Sequence, residues 1–327
     1  MASAAQTQRR NLPLLATTEI CSGRTYIVTG ANTGLGFEAA KHLVSLEAAK
    51  VILAVRNIGA GEKAKKEIEE STGKTGIAEV WLLDLANYES VKAFARKATT
   101  ELDRIDAVIE NAAVAVPERV LAEGHALSVT VNVLSTFLLA VLILPKMRET
   151  AQRYGTVPHL TLVTSRVGFD AKDFWDKIKD DPVKKMDGED IPPLHTYPLS
   201  KVLTTMALRC LATLIPVDRG VVMNLVCPGL CKTELSRNAP AQFREDLAKR
   251  LAEYGRTAED GSRTLLHGAV AGKESHGCLL HSCEIGENVV PSWVTDEEGK
   301  KWQKHSWEIV AKELDSIEPG CVGKVLN

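Results

Sequence analysis

The stretch TYIVTGANTGLGFEAAKHL, residues 25–43, constrains the fold more than any other. Its first five residues are all β-branched or aromatic, which suits a buried strand. Gly30, Gly34 and Gly36 follow, and a helical pattern begins at once. Glycine permits a tight turn and lets backbone approach a ligand closely. A helix start presents free N–H groups and the positive end of its dipole, which suits a pyrophosphate. A glycine triplet alone is a weak signal, but here it has the strand before and the helix after that a dinucleotide turn requires. Gly30, Asn32, Thr33, Gly34, Leu35 and Gly36 are therefore the expected phosphate cradle. A plain strand–helix turn is the competing reading.

Five further short apolar runs lie at 50–55, 79–84, 106–110, 159–165 and 221–226. Each reads as a strand buried on both faces. Stretches of 3.6-residue periodicity separate them; Leu199, Val202, Leu203, Met206, Leu211 and Leu214 mark one helix face. Strand–helix alternation implies an α/β fold, a doubly wound parallel sheet of about seven strands with helices on both faces. Residues 1–22 read as an N-terminal arm and 23–327 as one catalytic domain. Two regions look added: a polar, loop-like insertion at 167–195 and a C-terminal segment at 234–327. Phe169, Phe174 and Trp175 in the first, and Trp293, Trp302 and Trp307 in the second, fit two readings. They line an apolar substrate crevice under a flap and cap, or they pin loops to the core. WQKHSWEIVAKEL, residues 302–314, has the look of a surface helix.

The remaining composition narrows the function. Formal net charge is −2, and the two signs are mixed along the chain, so nothing calls for nucleic acid or an anionic membrane. The seven cysteines are scattered without a C-x-x-C pair, which fits free thiols in a reducing compartment and no metal. The N-terminus lacks the apolar core of a secretory signal. The most apolar run, residues 133–144 with Pro145 after it, is shorter than the roughly 20 residues a membrane span needs. It reads as a buried helix, and the protein as cytoplasmic.

The second strand ends at Val55 and Arg56. An NAD-selective site carries a carboxylate there for the ribose 2′-OH. Arg56 instead suits the 2′-phosphate of NADP(H), unless it is a solvated arginine at a strand end.

Taken in order, the glycine turn, WLLDL at 81–85, ENAAV at 110–114, Asn132, VTS ending at Ser165, YPLSK at 197–201 and NLVCPGLCKT at 224–233 resemble the short-chain dehydrogenase/reductase family. The resemblance runs from about residue 23 to 285, and its glycine spacing is that of the compact, single-domain type. TGANTGLGFEAAKHL with VILAVRN is most similar to the branch of retinol dehydrogenases and protochlorophyllide reductases. Many soluble relatives of this kind serve fungal or plant specialised metabolism. The resemblance implies a Rossmann-type fold and a nicotinamide cofactor. It implies that Asp84 and Leu85 meet the adenine, that Asn111 and Ala112 lie by a cofactor ribose, and that Pro228, Gly229 and Thr233 flank the nicotinamide and pyrophosphate. The family's third residue in the Asn111 turn is glycine; here it is Ala113.

Tyr197 and Lys201 stand four apart, on one helix face. A phenol titrates near 10, and a neighbouring cation lowers that, which would let Tyr197 act as general acid or base at a carbonyl oxygen. Ser165 would donate to the same oxygen. The resemblance adds a ribose contact for Lys201 and a water, held by Asn132, that links Lys201 to solvent. A buried Asn bonding backbone is the plainer reading of Asn132. His195, close by, is a weaker substrate contact. Pro198 directly after the tyrosine predicts a helix that starts late or bends. The expected activity is NADP(H)-dependent reduction of an apolar ketone or oxidation of the matching alcohol. A non-redox isomerisation or cyclisation, a cofactor-sensing module and a sugar-nucleotide epimerase are its rivals. A homodimer through the helices at 133–144 and 197 onward is the expected assembly, unless insertion or tail blocks that face.

Overall fold

The structure, a computed structural model, describes residues 6–326. Its strands are β1 (Thr25–Thr29), β2 (Lys50–Val55), β3 (Ala78–Leu82), β4 (Ala107–Glu110), β5 (Leu121–Ala122), β6 (His125–Ala126), β7 (His159–Val163), β8 (Val222–Cys227), β9 (Leu279–His281) and β10 (Glu284–Ile285). Eight of them form one sheet in the order β10-β9-β8-β7-β4-β1-β2-β3, and β5 and β6 make a separate small hairpin. All pairings in the large sheet are parallel except β9 with β10. The sheet thus exceeds the expected seven. The addition is the β9–β10 edge, whose three- and two-residue strands are too short to leave a hydrophobic period.

Every residue of β1 and β8 is buried, as a sheet covered on both faces demands. One apolar layer packs around the helices Tyr88–Glu101, Thr136–Tyr154 and Pro193–Leu214. The other packs under Gly34–Ser45 and Ala258–Val270. The strand order turns back at β1, which has β2 on one side and β4 on the other. Ligand crevices open at such switch points, beyond the carboxyl ends of the strands.

Two helices differ from expectation. The apolar run at 133–144 belongs to a π-helical segment, Thr130–Ser135, that continues as the α-helix Thr136–Tyr154. The helix runs through Pro145, which lies on its exposed side. The stretch Leu127–Tyr154 is long and apolar enough to cross a membrane, but 89% of its most apolar window is buried inside the protein, as in a core helix. The Tyr197 helix starts earlier than expected, at Pro193, and runs through Pro198 to Leu214. Pro193 explains the early start, since its fixed φ suits a first turn and no N–H is lost there.

The insertion is also more ordered than its polarity suggests. It forms the helices Lys172–Ile178 and Pro182–Asp187, and it buries Trp175, Ile178, Val183, Met186 and Ile191. The tail helix, Glu297–Ile317, buries Gln303, Trp307, Val310 and Leu314, one stripe at helical spacing. That stripe lies along the Pro193–Leu214 helix, and Trp307 meets Phe137 edge-on at 6.0 Å. The face expected to pair two subunits is therefore covered by the chain's own tail.

Candidate active site

A crevice of about 1110 Å³ opens where the strand order turns back. Sixteen of the eighteen residues singled out from the sequence line it: Gly30, Asn32, Thr33, Gly34, Leu35, Arg56, Asp84, Leu85, Asn111, Ala112, Ser165, Tyr197, Lys201, Pro228, Gly229 and Thr233. Gly36 and Asn132 lie behind its wall.

The β1 end of the crevice is built by close approach. A Cβ on Gly36 would come within 2.6 Å of the Asn111 amide and of the Gly30 carbonyl, so only glycine lets the helix sit this near the β4 turn. Thr29, fully buried, organises that turn: its Oγ1 accepts from both Asn111 N and Ala112 N at 2.9 Å. Asn111 Nδ2 returns a bond to Thr29 O at 2.9 Å. Thr33 begins the helix without a side-chain cap, whereas Asn57 and Asn87 do cap theirs. The first N–H groups of Gly34–Ser45 thus face the crevice without a side-chain partner, an anion-binding arrangement. Asp84 holds the next turn, accepting from Ala86 N at 2.9 Å. Arg56 is exposed at the rim beyond β2 and pairs with no group among the described residues.

At the other end, Tyr197, Ser165 and Lys201 converge. Lys201 is only 4% exposed, and its Nζ donates to Val163 O at 2.7 Å while lying 5.8 Å from the Tyr197 ring centre. Burial pulls its pKa down to about 8. The Tyr197 hydroxyl moves opposite to expectation. Burial, helped by the nearby Cys227 thiol, pushes its pKa above the ordinary phenol value, and a hydrogen bond with Ser165 offsets only part of that. Desolvation of the phenolate is the largest cause, so at neutral pH Tyr197 holds its proton.

Asn132 is 1% exposed and fully engaged. Its Oδ1 accepts from Val114 N at 2.9 Å, and its Nδ2 donates to Val114 O at 2.9 Å and to Ser200 Oγ at 3.0 Å. The side chain ties the loop after β4 to the Tyr197 helix. His195 stacks on Phe174 at 3.9 Å, outside the crevice lining. Of the six aromatics considered from the sequence, only Phe169 lines the crevice, with Trp293 edge-on behind it at 6.2 Å. Trp175 and Trp307 belong to the core. The apolar wall comes instead from Phe243, Leu247 and Leu251 on the helix Ala241–Tyr254. None of that helix is buried.

Sequence reading also missed a clamp made by the N-terminal arm. Gln8 Nε2 donates to Leu230 O at 3.0 Å and to Tyr254 O at 2.7 Å, and its Oε1 accepts from Leu230 N at 2.9 Å. Arg256, 1% exposed, donates to Arg9 O, Pro228 O and Ser282 Oγ at 2.6–2.7 Å. Gly229 holds a left-handed φ of +83° that favours glycine, and a Cβ there would press on Gln8 Oε1 and Arg256 Nη1 of this clamp. No local pattern around Gln8 or Arg256 signals the arrangement; it exists only once the N-terminal arm meets residues 228–256. Gln8→Ala leaves the Leu230 amide and two carbonyls without these partners, and a lost bond of this kind costs about 1 kcal/mol or more. The expected result is a several-fold rise in KM for the cofactor with kcat at saturation little changed, read by initial rates at varied cofactor. A cofactor KM equal to that of the wild type would assign the clamp to the fold alone.

Residues 24–173 match the family described as short chain dehydrogenase. The chain is 41% identical over 312 residues to the short chain dehydrogenase/reductase dmxR8 of Cryptosporiopsis sp., covering 91% of this chain and 93% of that protein. It is 41% identical over 267 residues to the short chain dehydrogenase atnD of Emericella nidulans, covering 78% and 82%. Among solved structures it resembles a 3-oxoacyl (acyl-carrier-protein) reductase from Agrobacterium tumefaciens with NADP bound, at TM-score 0.62 and 20% identity over 82% of this chain and 96% of that one. With this fold and relatives of that identity and coverage, the chain belongs to the short-chain dehydrogenase/reductase family and is a nicotinamide-dependent oxidoreductase by class.

Proposed function

We propose that this protein is an NADP(H)-dependent reductase of an apolar ketone, working inside the cell, with Tyr197 as general acid. The observation that carries the reading is the convergence of Tyr197, Ser165 and Lys201 at one end of a crevice whose other end holds an uncapped helix start and a free Arg56. These residues fit a dinucleotide phosphate: the turn accepts close approach at Gly36, and Arg56 offers a guanidinium to a 2′-phosphate. When bound, the nicotinamide supplies a hydride to the carbonyl carbon. Ser165 donates a hydrogen bond to the carbonyl oxygen, where negative charge develops. Tyr197, kept protonated by burial, passes its proton to that oxygen. Lys201, anchored on Val163 O, keeps positive charge beside the phenolate left behind. Phe169, Phe243, Leu247 and Leu251 suit an apolar substrate of the kind met in specialised metabolism, with residues 234–254 as its cap. Absorbance at 340 nm with NADPH and a panel of ketones tests the reading, and turnover is expected with apolar members. Isomerised products formed without cofactor oxidation would replace it with a non-redox activity.

A further inference from the structure

A side cavity of about 220 Å³ adjoins the crevice between the N-terminal arm and the β9–β10 hairpin. Gln8, Arg166 and Val289 line both spaces, so they form the partition. Arg166 follows Ser165 directly, and its backbone N–H is held by Cys227 Sγ at 3.5 Å. Its side chain is half-buried, its Nε has no partner, and no carboxylate among the described residues pairs with its guanidinium. A charge drawn partly out of water normally finds a counter-ion. Arg9 and His281 share the cavity wall, and Glu284, the one carboxylate among its described lining residues, is already paired with Arg9. Burial first, then the fields of Arg166, Arg256 and Arg9, hold His281 below its ordinary pKa against the opposite pull of Glu284.

We infer that Arg166 is a specificity-determining residue that receives a carboxylate carried by the substrate, placing the acid in the side cavity and the ketone at Ser165 and Tyr197. The inference rests on the reductase reading for its ketone end, but not for its anion end. A guanidinium binds a carboxylate with paired, charge-assisted bonds, and the apolar crevice wall accommodates the skeleton between the two groups.

The test compares keto acids with their methyl esters in the wild type, Arg166→Met and Arg166→Lys. Benzoate, a carboxylate that carries no ketone, is titrated separately by calorimetry. In the wild type the acids should exceed their esters about tenfold or more in kcat/KM, through KM. Arg166→Met should bring that ratio near one, and Arg166→Lys should recover part of it. Benzoate should bind wild type competitively with the ketone and bind Arg166→Met at least tenfold more weakly. A wild-type ratio of one or less, or a ratio that survives Arg166→Met, overturns the inference. So does benzoate that binds without competing, since it would then be a free effector in the side cavity. If no ketone is turned over at all, the reductase reading fails, and the benzoate titration alone decides whether Arg166 holds an anion. Melting curves of both variants separate a lost fold from a lost contact.

Discussion

Tyr197→Phe is expected to lower turnover by about a thousandfold, within the range a positioned proton donor supplies. The substitution removes one oxygen from a residue whose backbone lies inside a well-packed helix, so fold and cofactor affinity should stay within about twofold of the wild type. Stopped-flow hydride transfer and fluorescence titration of NADPH read the two quantities separately. Undiminished turnover with normal cofactor binding would remove Tyr197 from the chemistry. The pH profile gives a second check. Lys201 loses its charge as pH rises through its depressed pKa of about 8. Below that value the ammonium is present beside the developing phenolate; above it the support is lost. Turnover in the reductive direction should therefore decline from about pH 8 upward, before an unperturbed lysine near 10.4 would titrate.

Arg56→Asp carries the next largest effect. It removes an unpaired cation at the rim beyond β2 and sets a carboxylate where a 2′-phosphate would lie. Lost charge-assisted bonds and new repulsion together should lower kcat/KM for NADPH by about a hundredfold. The same carboxylate can bond the free 2′-OH of NADH, so preference should turn toward NADH. Because Arg56 is exposed and bonds no other described residue, thermal stability should be unchanged. Initial rates with both cofactors decide the matter, and an unaltered preference would take Arg56 out of cofactor selection.

Local patterns announced the parts of this fold that depend on neighbours in the chain. The five residues of β1 and Gly30, Gly34 and Gly36 form one continuous strand, turn and helix, and their chemistry is readable because each constraint falls within a few positions. Tyr197 and Lys201 share a helix face for the same reason. What stayed hidden depends on distant meetings. Gln8 reaches Leu230, and Arg256 reaches Arg9 and Ser282, across separations that leave no periodic trace. The overall polarity of 167–195 concealed two helices, because the residues that turn inward, Trp175, Ile178, Val183, Met186 and Ile191, stand among many charged ones. The direction of the Tyr197 shift was also out of reach. Spacing shows that a cation stands nearby, but only the depth of the pocket shows that desolvation is larger.

The tail stripe of Trp307, Val310 and Leu314 on the Tyr197 helix has a consequence for how copies of this protein behave together. Each polypeptide covers that face of its own catalytic helix, so a neighbour should not feel another's ligation state through it. Saturation curves should then be hyperbolic, with a Hill coefficient of about one. Dilution should leave specific activity constant, and activity lost on dilution would point to association through another surface.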